Sequence, residues 1–117
     1  MWHNLLCCVL KKIEAIVRTE VMSRVKEHLR EMGVGGMTIT TVMGWSKQRE
    51  LHLQWRGRPV SYDLIPRAKF EIVAPDSQLD DIIQAIIDTA RTGEPGDGII
   101  LVSTVEQAIN IYYLGRT

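Results

Sequence analysis

Between residues 92 and 98 the chain reads Thr-Gly-Glu-Pro-Gly-Asp-Gly, the segment with the clearest chemical potential. Three glycines in seven residues allow left-handed backbone conformations, and successive N–H groups can then turn inward as a nest for phosphate oxygens. No Gly-Lys-Ser/Thr follows, so it is not a Walker-type loop. On pattern alone, a tight connection between two elements explains the glycines and is the commoner case.

The other reactive side chains are scattered. Cys7 and Cys8 are adjacent, and the chain has no third cysteine. They build neither a disulfide framework nor a four-ligand zinc site, and read as reduced thiols, with an intersubunit or redox-sensing role as the alternative. His3 and His52 are too isolated for a metal site, and His28 reads as a surface histidine. Asp80 and Asp81 fall in the first turn of a helix, where its dipole favours carboxylates, rather than forming a catalytic pair. No Ser-His-Asp or Cys-His arrangement has spacing support, so no catalytic residue is assigned. Trp45 and Trp55 could anchor a partner or pack a loop on its own base.

Lys and Arg number 14, as do Asp and Glu, so the formal charge is zero among 117 residues. That balance argues against gripping nucleic acid by bulk charge. One globular domain fits the length and the 45% apolar content. Residues 1–9 read as an N-terminal extension, apolar but too short to span a bilayer and without the marks of a secretory signal. A cytoplasmic location is expected.

Apolar periodicity supplies the elements that would hold the loop. Ile13, Ala15 and Val17 alternate in a strand over 10–18, and Thr19 is expected to cap the helix that follows. Val21, Val25, Leu29 and Met32 recur at helical spacing, and Gly33 should close that helix in a left-handed conformation. Residues 35–43 are β-branched and read as a strand. From 44 to about 61 the text is polar and shows no apolar period, a length of connection that is usually functional. A strand resumes over 62–73, with Pro66 suggesting an edge or a bend. Asp76 or Ser77 should cap a helix carrying Leu79, Ile82, Ile83, Ile86, Ile87 and Ala90 on one face. After the glycine-rich loop come strands over 99–103 and 109–113. The order is βαββαβ plus a short C-terminal strand: an α+β, ferredoxin-like sandwich with helices on one face. Ile16, Val42, Val73 and both sides of 99–102 cannot all point into one layer. The bare face therefore needs a cover, most simply another copy of the chain.

Lys11-Lys12-Ile13-Glu14-Ala15-Ile16-Val17-Arg18, Gly36-Met37-Thr38-Ile39-Thr40 and Thr92-Gly93-x-x-Gly96-Asp97-Gly98 together resemble the PII family of nitrogen-regulatory signal proteins. The likeness runs from about residue 10 to 112, making 10–117 one PII-like domain with its T-loop at about 44–61 and its phosphate loop at about 91–98. It implies a homotrimer that binds ATP or ADP in clefts between subunits, often with Mg and 2-oxoglutarate. The resemblance implies a sensor and adaptor, not an enzyme: through the T-loop such a trimer regulates a transporter (a membrane protein in some cases), an enzyme or a transcription regulator.

Carried over by position, Thr38, Glu71 and Val73 would hold the adenine, and Thr92, Gly93, Gly96, Asp97 and Gly98 the phosphates. Gln48 falls where a glutamine helps to hold Mg and 2-oxoglutarate, and Lys47 where an arginine is usual. Arg67 replaces a lysine that closes on the 2-oxoglutarate carboxylate. Three basic positions of the family are occupied by Ile99, Asn110 and Tyr112, which should weaken triphosphate binding and leave ADP, AMP or cyclic AMP as less demanding ligands. Val60 stands where some members carry a uridylylated tyrosine. The alternatives are a trimeric interaction adaptor that has lost nucleotide sensing and, more distantly, a CutA-like metal-binding trimer.

Overall fold

The computed structural model describes residues 9–45, 51–55, 58–62, 64–112 and 115–116, with 51–55, 58–62 and 115–116 described as backbone alone. In chain order the elements are β1 (Leu10–Arg18), α1 (Met22–Glu31), β2 (Thr38–Gly44), β3 (Leu51–Trp55), β4 (Arg58–Tyr62), β5 (Ile65–Pro75), α2 (Leu79–Ala90), β6 (Gly98–Val105), β7 (Ile109–Asn110) and β8 (Gly115–Arg116). A four-stranded antiparallel sheet in the order β2-β5-β1-β6 carries α1 and α2 on one face, the expected α+β ferredoxin-like plan.

Strand alternation decides what lies on each face. Ile13, Ala15 and Val17 of β1 and Ala68, Phe70 and Ile72 of β5 point to the helices, where they pack with Val25, Leu29, Ile82 and Ile86. The intervening residues point the other way. Lys12, Glu14 and Ile16 lie beside Lys69, Glu71 and Val73, with Thr38, Thr40 and Val42 on one flank and Ile99 and Leu101 on the other. Ile99 and Leu101 stay 53% and 47% exposed. The mixed second face expected from Ile16, Val42 and Val73 is thus present.

Several local expectations change. Neither Thr19 nor Asp76 nor Ser77 caps a helix by its side chain, because each helix is entered through a short 3₁₀ turn that precedes it (Thr19–Val21 and Asp76–Gln78). The Thr19 hydroxyl instead bonds the Glu20 carboxylate at 2.9 Å. At the other end of α1 the expectation holds. Gly33 has φ +94, and the N–H groups of Gly33 and Val34 donate to Arg30 and Leu29, a Schellman closure.

The segment expected to lack periodic structure contains a hairpin, β3 with β4, in the register Leu51↔Tyr62, Leu53↔Val60 and Trp55↔Arg58. Pro66 is not on an edge strand, since β5 lies inside the sheet. However, β1 pairs with β5 only from Arg67 onward, so Pro66 has β2 on one side and no ladder to β1 on the other. The last strand is shorter than expected. Asn110 Oδ1 accepts the Tyr112 N–H at 2.9 Å, turning the chain after two strand residues.

Candidate functional site

Arg91, at the end of α2, is extended (φ −71, ψ 129), and the chain then bends through Gly93 (φ +91) and Gly96 (φ +88). Only glycine takes such angles without strain. An acid at the far end of the bend fixes its shape. Asp97 Oδ2 accepts the N–H groups of Thr92 at 2.8 Å and Gly93 at 2.9 Å, and Oδ1 accepts the Thr92 hydroxyl. Arg18 Nε adds a charged bond to Oδ1 at 3.2 Å. The Thr92 hydroxyl, the two backbone amides and Arg18 hold the Asp97 carboxyl far below the ordinary carboxylate range, against its desolvation.

Two of the amides assigned from sequence to phosphate therefore already serve an internal anion. Asp97 acts as a strut of the loop.

Two arginines brace the same loop from below. Arg18 and Arg67 are direct partners on β1 and β5, so their side chains leave one face side by side. Arg18 also donates to the Pro95 carbonyl at 3.2 Å. Arg67, only 9% exposed, donates from Nη1 to the Gly96 carbonyl at 2.7 Å. Asp97 and the nearby Glu20 carboxylate offset the adjacent like charges. Glu20 is itself held low by the Thr19 hydroxyl first and, more weakly, by Arg18 and Arg67.

Sequence reading assigned no role to Arg18. The signal was available in the antiparallel pairing of first and last core strands, which sets Val17 opposite Gly98 and so Arg18 beside Asp97. Gly98 proves to be required by packing. A Cβ there, at φ +138, would sit 2.2 Å from the Ile16 carbonyl oxygen.

Thr38 and Glu71 are direct cross-strand partners on the open face, with Val73 next along β5. Arg67 lies four residues from Glu71 on the same face, about 13 Å at 3.3 Å per residue. One chain thus shows two separate polar groups, the loop end and the Thr38–Glu71 end. A four-charge lattice lies at the second: Lys12 Nζ is 3.3 Å from Glu71 and 3.5 Å from Glu14, and Lys69 Nζ is 3.3 Å from Glu14 and 3.9 Å from Glu71. Lys69 foremost, then Lys12, holds the Glu14 carboxyl below its usual range, against desolvation, and Glu71 foremost raises the Lys12 ammonium.

Ile99 sits on the open face directly after the loop, and Asn110 and Tyr112 are in the C-terminal segment, so none supplies a cation to the loop. Arg18 and Arg67 do. Beside the loop, α2 and the edge of β6 frame an open cleft of about 530 Å³ lined by Ile83, Ile87, Ile100 and Val102, with Arg91 and Asp97 also in its lining. Ile83 and Ile87, expected on one apolar face of the helix with Ile82 and Ile86, line this cleft while Ile82 and Ile86 are buried. Lys47, Gln48, Cys7 and Cys8 lie outside the described residues. Among the described residues no group of three His, Cys, Asp or Glu side chains could hold a metal, and no helix is long and apolar enough to cross a membrane.

Residues 10–113 match the family model described as nitrogen regulatory protein P-II. The chain belongs to the P-II family. Nitrogen regulatory protein P-II of Haemophilus influenzae is 44% identical over 102 residues, covering 87% of this chain and 91% of that protein. The protein of the same name from Porphyra purpurea is 43% identical over equal shares. P-II 2 of Methanothermobacter thermautotrophicus is 39% identical, covering 87% of this chain and 89% of its own. Among solved structures, Arabidopsis thaliana PII bound to citrate superposes with a TM-score of 0.73 at 32% identity, covering 92% of this chain and 85% of that one. P-II proteins are signal-transduction regulators, trimeric, that bind small effectors such as adenine nucleotides. A trimer of this chain is consistent with that likeness.

Proposed function

We propose that this P-II protein assembles as a homotrimer in the cytoplasm and binds an adenine nucleotide at each seam between copies. Through the T-loop, residues 44–61, it regulates a partner protein (a transporter, an enzyme or a regulator) in nitrogen or carbon metabolism. The observation that carries the reading is the 92–98 bend, with left-handed Gly93 and Gly96, braced by Arg18 and Arg67 at the rim of an uncovered sheet face. An anion at that bend meets two guanidinium groups that favour diphosphate charge, in place of the basic residues absent at 99, 110 and 112. The Thr38 hydroxyl and Glu71 carboxylate suit the donor and acceptor edge of adenine, with Val73 against its ring.

One chain presents these two ends apart on a face that also exposes Ile99 and Leu101. Bringing copies together covers the apolar residues and turns the two ends toward a shared cleft. Gln48, the residue on which Mg and 2-oxoglutarate would depend, lies outside the described residues.

Calorimetry with ADP, ATP, AMP, cyclic AMP and 2-oxoglutarate tests the reading. ADP is expected to bind most tightly, and Gly96→Val, which puts a branched side chain at φ +88, should abolish the heat. Silence with all five ligands removes the sensing claim. Ile99, Asn110 and Tyr112 favour a second reading, an adaptor trimer without nucleotide sensing. Hydrogen exchange of 44–61 that ignores every nucleotide would select it.

A further inference from the structure

We infer that Lys12, Glu14, Lys69 and Glu71 form the polar centre of the seam between copies, a neutral quartet that a second copy of this chain covers and that blocks assembly when one of its charges is removed. This deepens the homotrimer reading above and rests on it. The quartet is closed. Each ammonium meets both carboxylates, at 3.3 and 3.5 Å for Lys12 and at 3.3 and 3.9 Å for Lys69. Glu14 and Glu71 are direct cross-strand partners, a like-charge juxtaposition that is unfavourable unless cations bridge it. Two lysines against two glutamates leave no net charge. The next charges along this face, Arg18 and Arg67, are turned to the 92–98 loop.

Position makes the quartet part of the seam. It sits on β1 and β5, the inner strands, with β2 on one flank and β6 on the other. Leu101 is the direct neighbour of Glu14, and Ile99 of Ile16, at 47% and 53% exposure, while Val42 stands on the opposite edge strand. A copy that takes these apolar flanks out of water takes the quartet out as well. In the single chain the four side chains keep 25–37% exposure, and pairs so solvated contribute little. Under a covering copy the same charges lose that water, and an ion left without its partner becomes costly. A strongly charged partner is a poor occupant, because a neutral quartet leaves its excess charge unpaired. An identical face, equally neutral and with the same alternation of signs, is a good one.

Sedimentation of the full chain at pH 7 over a range of concentrations tests this. Glu14→Gln leaves Lys69 its longer contact, 3.9 Å to Glu71, and one uncompensated positive charge. Lys69→Met leaves one uncompensated negative charge. Either change alone should raise the concentration at which the trimer half-dissociates by about a hundredfold or more. The two together restore neutrality and keep Lys12 beside Glu71 at 3.3 Å. The double variant should therefore return to within about tenfold of wild type. Side chains that served only as packing would make the double variant worse than either single one. Single variants that assemble like wild type, or a double variant no better than the singles, overturn the inference. A wild type that is a monomer throughout defeats the trimer reading and this inference with it, so the wild type alone tells the two failures apart. Should circular dichroism show the double variant unfolded, Glu14→Gln with Lys12→Met, which leaves Lys69 beside Glu71, is measured against the same criteria.

Discussion

On the helix-covered face of the sheet, Ile13, Ala15, Val17, Phe70 and Ile72 are buried and wholly apolar. One residue out of step, on the same strands, Lys12, Glu14, Lys69 and Glu71 form an ionic lattice framed by Ile16, Val42, Val73, Ile99 and Leu101. The first face needs only its own chain. The second cannot be finished alone, because its charges pair across strands while its apolar rim stays in water. The difference teaches that the covered face carries the fold, while the proposed function assigns assembly and ligand to the open one. Substitutions on the two faces should therefore separate folding from assembly.

The largest effect on the chain's own stability belongs to the covered face. Phe70→Ala, at a fully buried site, should cost about 3–5 kcal/mol in denaturant unfolding. Gly98→Ala comes next, at the junction of loop and sheet. The strained φ alone costs about 1–3 kcal/mol, and the approach to the Ile16 carbonyl adds to it, so the melting temperature should fall by several degrees.

On the open face the order reverses. Leu101→Glu should change the single chain's stability by no more than about 0.5 kcal/mol yet return a monomer in sedimentation. A trimer that survives this change would show that the open face is not the seam.

The smallest effect is pH-dependent. Because Asp97 is held below the ordinary carboxylate range, its contribution is present at neutral pH and is lost as pH falls through and below that range. Asp97→Asn should therefore melt a few degrees lower than wild type at pH 7, with the gap closing under acid conditions. A gap constant with pH would deny Asp97 its role as the loop's anion.

The core of β1, the closure of α1 at Gly33 and the mixed second face were legible because they follow from alternation and glycine conformation, which are local. The hairpin was missed although Leu51, Leu53 and Trp55 alternate, since the charges and Pro59 around them masked a short period. The helix caps were missed because 3₁₀ turns take up the first residues, a choice that side-chain propensity does not encode. Arg18 escaped notice for a different reason: its partner Asp97 is 79 positions away, and only the β1–β6 pairing brings them together. Ile83 and Ile87 share the apolar stripe of α2 yet line the cleft, because such a stripe does not say how wide the sheet beneath it is.

Native mass spectrometry of the full chain with ADP tests the central claim most directly. The account predicts an ion with the mass of three chains carrying up to three nucleotides, and loss of the nucleotides in Gly96→Val with the trimer intact. A single chain at every concentration, or a trimer that never takes up ADP, would contradict it.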